Sequence, residues 1–151
     1  MINMSRIVCP TDFSPTSSRA VDYAATMAKN MGAELILVHV IPTMDYPLRS
    51  FGISSSIQHI EEEIQARAKE SLEQRAAKLK ESISDISTRL IVLNGEAHEA
   101  TLECAESEKA DLIVIGTHGH TGITHALLGS TAEKVVRLSK CPVLTVGNPD
   151  K

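Results

Sequence analysis

No stretch of the 151-residue chain approaches the roughly 20 consecutive apolar residues of a membrane span, and its N-terminus lacks the apolar segment of a secretory signal. A cytoplasmic protein with no membrane partner is therefore expected. Basic charge is also short. Fifteen Lys and Arg against 19 Asp and Glu give a net charge of -4, which argues against nucleic acid or an anionic surface as the main partner while leaving room for a local basic pocket. Cysteine is scarce: Cys9, Cys104 and Cys141 are an odd number, scattered without metal-ligand spacing, a pattern that suits reduced and mostly buried thiols. There is no internal repeat and no Gly-, Ser- or Pro-rich linker. With 42% hydrophobic residues, the chain is long enough for one core and too short to expect two, so a single domain over residues 1–151 is predicted.

What is present alternates. Residues 6–10, centred on Ile7-Val8-Cys9, read as a first strand, and Ser14 before Pro15 is a helix N-cap followed by proline at the first helical position. Ala20, Val21, Ala24, Ala25, Ala28 and Met31 then recur at helical spacing until Gly32. Residues 34–41 form a second β-branched strand, stopped by Pro42; His39 within it reads as a packed or hydrogen-bonded core histidine. The 42–56 segment, with Asp45, Gly52 and a serine cluster, reads as a long loop. Ile57, Ile60, Ile64, Ala68, Leu72, Ala76, Leu79 and Ile83 then mark an amphipathic helix, with Glu63 and Arg67 as an i,i+4 pair on its wet side. A strand over 88–93, a turn at Asn94-Gly95, a helix over 96–109 with His98 facing solvent, a strand over 112–115, a helix to Ser139 and a strand over 142–146 complete the series. Five strands alternating with four helices specify an α/β fold, a parallel sheet with helices on both faces.

The chemistry concentrates in residues 111–131. The apolar run Leu112 to Ile115 feeds Gly116-Thr117-His118-Gly119, and nine residues later comes Gly129-Ser130-Thr131. Gly116 and Gly119 can take backbone conformations closed to other residues and allow close approach of a ligand. A helix begins near Ser130, with Glu133 three residues on as a capping box. Strand, glycine loop and helix start make an anion site, since a helix N-terminus offers free N–H donors and about half a positive charge; equally, glycines here can serve only a tight strand-to-helix connection. Neither a Walker loop nor Gly-x-Gly-x-x-Gly is present. Asp12, at the carboxyl end of the first strand, is placed either for a ligand or for a turn that bonds its own backbone.

The spacing Gly-x2-Gly-x9-Gly-Ser resembles the ATP-binding signature of the universal stress protein family. Four further segments resemble the family in order: Pro10-Thr11-Asp12-Phe13-Ser14, the Val-His-Val-Ile of the second strand, Leu127-Leu128-Gly129-Ser130-Thr131 and Cys141-Pro142-Val143-Leu144. The resemblance implies an open five-stranded parallel sheet of order 3-2-1-4-5, Rossmann-like and of the adenine nucleotide alpha hydrolase type, with ATP across strands 1 and 4. It implies contacts from Pro10, Thr11, Asp12 at the ribose, Val40 by its backbone at the adenine edge, Ile115, Gly116, Gly119, His120, Gly129, Ser130 and Thr131. Magnesium would come with ATP, held mainly by phosphates and water, whereas zinc on His118, His120 and His125 is not expected. Family members usually dimerise through the last strand, here Val143, Leu144, Thr145 and Val146. His120 and His125 stand where the family commonly carries Arg or Lys, so ATP affinity is expected to fall between about pH 6 and 8 more steeply than in Arg-bearing relatives. Three roles stay open: a nucleotide-dependent regulator acting on an unknown protein partner, a slow ATPase or self-phosphorylating protein with Ser130 or Thr131 as acceptor, and a stress dimer that binds no nucleotide.

Overall fold

The computed structural model describes residues 1–43, 54–118 and 128–149. Five strands and four helices alternate among them: β1 Arg6–Pro10, α1 Pro15–Met31, β2 Glu34–Ile41, α2 Ser54–Ser82, β3 Thr88–Asn94, α3 Ala97–Ser107, β4 Leu112–Gly116, α4 Ser130–Leu138 and β5 Val143–Val146. Every strand pairing is parallel, and the order is β3-β2-β1-β4-β5, the Rossmann-like arrangement expected from the sequence.

Because successive side chains of a strand leave opposite faces, each β-branched run feeds two cores. Ile7, Cys9, Leu35, Leu37, Leu112 and Val114 pack with the alanines of α1 and with Leu72 and Leu79 of α2. Val8, Ile36, Val38, Ile113 and Ile115 pack with Cys104 and Ala105 of α3 and with Ala132 and Val135 of α4. Both faces of the sheet are therefore covered, which is why these strands read as continuous apolar runs rather than alternating ones.

The first helix begins and ends as its sequence dictates. Ser14 accepts the Ser17 N–H at 3.2 Å with Pro15 following, and Gly32 closes the helix at φ 66° with its N–H shared between Ala28 and Lys29 carbonyls. Such a cap contributes about 1 kcal/mol. Along α2, Ile57, Ala68, Leu72, Ala76 and Leu79 are buried, but Ile60 is exposed. At 100° per residue Ile60 lies roughly 100° from the line through Ala68, Leu72 and Leu79, beyond the buried stripe. The Glu63–Arg67 pair forms at 2.7 Å. Arg75 fastens α2 to α1 through the Ser18 carbonyl at 3.0 Å and Asp22 at 2.6 Å.

Among the described residues no helix is long and apolar enough to cross a membrane. β1 lies between β2 and β4, so the chain leaves the centre of the sheet in opposite directions from there. A crevice opens at the carboxyl ends of β1 and β4.

Candidate functional site

The exit of β1 is held by a mesh of short hydrogen bonds. Thr11 donates its N–H to the Val38 carbonyl at 2.8 Å, and its own carbonyl takes His39 Nδ1 at 2.8 Å. Its hydroxyl accepts the Phe13 N–H at 3.0 Å and lies 3.0 Å from Ser17 Oγ. Phe13 sits at φ 63°, a conformation few non-glycine residues adopt, and its ring lies 4.7 Å from that of His39. Asp12 Oδ1 accepts the Ser14 N–H at 3.0 Å. The two roles weighed for Asp12 are thus compatible: one oxygen closes the turn, and the residue also borders the cavity described below.

At the exit of β4 Gly116 and Gly129 make the tight strand-to-helix connection that was the other reading of these glycines. Gly116 is not in the left-handed region. A Cβ there would stand 3.2 Å from Ser17 N and from Thr16 atoms at the start of α1, so the residue is small because two backbones meet. Gly129 has φ -62° and donates its N–H to the Thr117 carbonyl at 2.6 Å. The expected capping box is absent. Gly129, not Ser130, is the N-cap of α4, no side chain caps that end, and Glu133 pairs instead with Arg137 at 2.9 Å, one turn along the helix. With no cap, the free N–H groups of the first turn remain available to solvent or a ligand.

These pieces enclose a cavity of about 340 Å³. Pro10, Thr11, Asp12, Val40, Ile115, Gly116, Gly129, Ser130 and Thr131, nine of the expected contact residues, all border it. Gly119, His120 and His125 lie outside the described residues, and so does most of the 42–56 segment. Reading by pattern missed one wall, made by Ala97 and Thr101 of α3. Thr101 is 1% exposed and gives its hydroxyl to the Ala97 carbonyl at 2.7 Å; a threonine among the small inward residues of α3 was the available signal. Ser17, Thr117 and His118 border the cavity as well, and the every-third spacing of Thr11, Ser14 and Ser17 pointed to the first of them.

The remaining histidines and thiols sort by surroundings. His39 is the hydrogen-bonded strand residue expected, and it also borders the cavity. His98 does not face solvent: its side chain is 12% exposed and Nδ1 lies 3.0 Å from Glu96 Oε1. All three cysteines are free. Burial pushes the Cys9 thiol up to about 12 and also raises Cys104. Among the described residues no three His, Cys, Asp or Glu side chains cluster as metal ligands would.

The model of the universal stress protein family matches residues 4–147. The chain belongs to that family. Universal stress protein MJ0531 of Methanocaldococcus jannaschii is 36% identical, over 97% of this chain and 84% of its own. Universal stress protein MJ0577 of the same organism is 30% identical over 93% of both chains. The solved structure of protein MJ0577 superposes with a TM-score of 0.84 over 99% of this universal stress protein and all of that chain, at 28% identity. A universal stress protein solved in complex with cAMP is 30% identical, with a TM-score of 0.66 over 97% and 98% of the two chains.

Proposed function

We propose that this universal stress protein binds an adenine nucleotide where β1 and β4 diverge, works as a homodimer and passes its ligand state to a protein partner. The observation that carries the reading is the meeting of three separated segments, 10–12, 115–118 and 129–132, with Val40 around one cavity. Its volume of about 340 Å³ falls within the range of small-molecule sites. The assignments of Asp12 and Val40 follow the family resemblance, and that of the α4 start follows the chemistry of its wall. Asp12 takes the ribose hydroxyls, the Val40 backbone takes the adenine edge, and the uncapped first turn of α4 with Ser130 and Thr131 takes phosphate. Gly119 and His120 are assigned to the phosphate end on sequence alone. The relative crystallised with cAMP supports an adenine nucleotide, and ATP with Mg2+ is the ligand the family resemblance implies. The metal would be held by phosphates and water, because the cavity offers one carboxylate, Asp12, among its described lining.

Binding rather than turnover is proposed. Hydrolysis needs a base or a water-positioning group at the γ-phosphate, and Asp12 is assigned to the ribose. The dimer reading rests on β5, which ends the sheet with Val143, Leu144 and Thr145 partly exposed; a second copy's β5 would cover that edge. Three free thiols suit the cytoplasm.

Calorimetry on nucleotide-stripped protein tests the reading. Saturable heat with ATP and Mg2+, lost in Asp12→Ala, is expected, and no heat with any adenine nucleotide would end it. Sedimentation at equilibrium should give twice the chain mass; a monomer at micromolar concentration excludes the dimer.

A further inference from the structure

We infer that the cavity discriminates among adenine nucleotides by phosphate charge, taking a nucleoside monophosphate, open or cyclic, at least as tightly as metal-free ATP. The inference rests on the nucleotide reading above and sharpens its ligand class. Among the described lining residues there is no lysine or arginine, and the one fixed charge is the carboxylate of Asp12. The sequence agrees: no lysine or arginine occurs between Lys109 and Lys134, so β4, the whole connection to α4 and the first turn of α4 are without a permanent cation. Of the cations on α4 and just after it, Lys134 does not border the cavity, and the other two are paired elsewhere. Arg137 holds Glu133 at 2.9 Å, and Lys140 holds Glu106 at 2.6 Å.

Phosphate in such a site meets no permanent cation: the donors on its described wall are the hydroxyls of Ser130 and Thr131 and the free N–H groups of α4, with the ring of His118 also in the lining. The helix start supplies about half a positive charge, which suits the single charge of a cyclic monophosphate or the two of AMP. Metal-free ATP brings about four negative charges beside Asp12 and finds no guanidinium or ammonium to answer them. Its second and third phosphates gain little from the protein. Magnesium changes the balance by travelling with the polyphosphate and supplying the cation the walls lack.

The test is calorimetric titration of the full chain with AMP, cAMP and ATP, each in EDTA and in excess MgCl2. In EDTA, at least one monophosphate should bind as tightly as ATP or tighter. Magnesium should tighten ATP by about tenfold, the worth of one charged hydrogen-bond partner, and leave cAMP within about twofold. Ser130→Lys should favour metal-free ATP over AMP by about tenfold. Metal-free ATP binding about tenfold tighter than both monophosphates overturns the inference while leaving the nucleotide reading intact. It does so even if Arg49→Ala removes the preference, since Arg49, in the 44–53 segment, would then be the cation held to be missing. An unchanged ratio in Ser130→Lys also counts against it, and no heat with any of the three ligands sinks both readings.

Discussion

Gly129 gives its N–H to the Thr117 carbonyl at 2.6 Å, and a Cβ added to Gly129 would stand 2.9 Å from that same oxygen. The glycine is thus demanded by the hydrogen bond it makes, which ties the end of β4 to the start of α4 across the segment 118–128. A methyl group forces either the bond to lengthen or the helix to shift. Gly129→Ala should destabilise the protein by about 1–3 kcal/mol, as overpacking does, and weaken nucleotide binding in the same step. Urea unfolding followed by circular dichroism gives the first quantity. Unchanged stability together with lost binding would mean that Gly129 serves the ligand alone.

Asp12 carries two duties that substitution can separate. Asparagine keeps an oxygen able to accept the Ser14 N–H at the turn but loses the charge, whereas alanine loses both. Asp12→Asn should therefore unfold near the wild-type urea midpoint, while Asp12→Ala should lose about 0.5–1.5 kcal/mol, the worth of one hydrogen bond. Both should bind adenine nucleotides more weakly. Equal stability of the two variants would show that the turn does not depend on this carboxylate.

How far the sequence reaches depends on whether a signal is local. Strands were legible because β-branched runs bounded by Gly, Pro or charged residues have one common use in an alternating chain, and α1 because Ser14, Pro15 and Gly32 punctuate it. The helix α4 begins at Ser130 as expected, but its cap was misread by one residue for a definite reason. Glu133 has two partners within its own helix, a capping position at Ser130 and an i,i+4 position at Arg137, and pattern alone does not rank them. The structure gives the carboxylate to Arg137 and the cap to Gly129. The wall from Ala97 and Thr101 was illegible for another reason: it exists only once α3 packs over the sheet, a relation between residues about 60 to 90 positions away from Asp12 and Val40 in the chain. His98 was misread for a local reason: its partner Glu96 is two residues away, and i,i+2 contacts are not what helix periodicity anticipates.

The three thiols should differ sharply in reactivity. Only the thiolate attacks. Cys9 is fully buried, its thiol pushed up to about 12 by desolvation, with Arg75 opposing weakly, and Cys104 is raised by burial and the nearby Glu108 charge. Cys141 is partly exposed. An aromatic disulfide reagent at about pH 8 should label one thiol per folded chain, lost in Cys141→Ser, and three in denaturant. Rapid labelling of two or more in the folded protein would contradict the burial of Cys9 and Cys104.

At the amino end of the sheet, Arg89 bridges Glu108 at 2.5 Å and Glu34 at 3.2 Å, joining β2, β3 and the end of α3. Its hydrogen bond holds the Glu108 carboxyl below its ordinary value of 4.5. The sign follows from linkage: a carboxylate with a lowered folded pKa contributes stability that is fully present above the unfolded value and is lost as pH falls through the folded one. Wild type and Glu108→Gln should therefore differ most near neutral pH and converge below about pH 4.5. The group is solvent-accessible, so added salt should narrow the difference at neutral pH as well. Urea midpoints of the two proteins across a pH series, at low and high salt, measure this directly. A difference that stays constant with pH would assign the effect of the substitution to packing and leave Glu108 without an electrostatic role in holding α3 to the sheet.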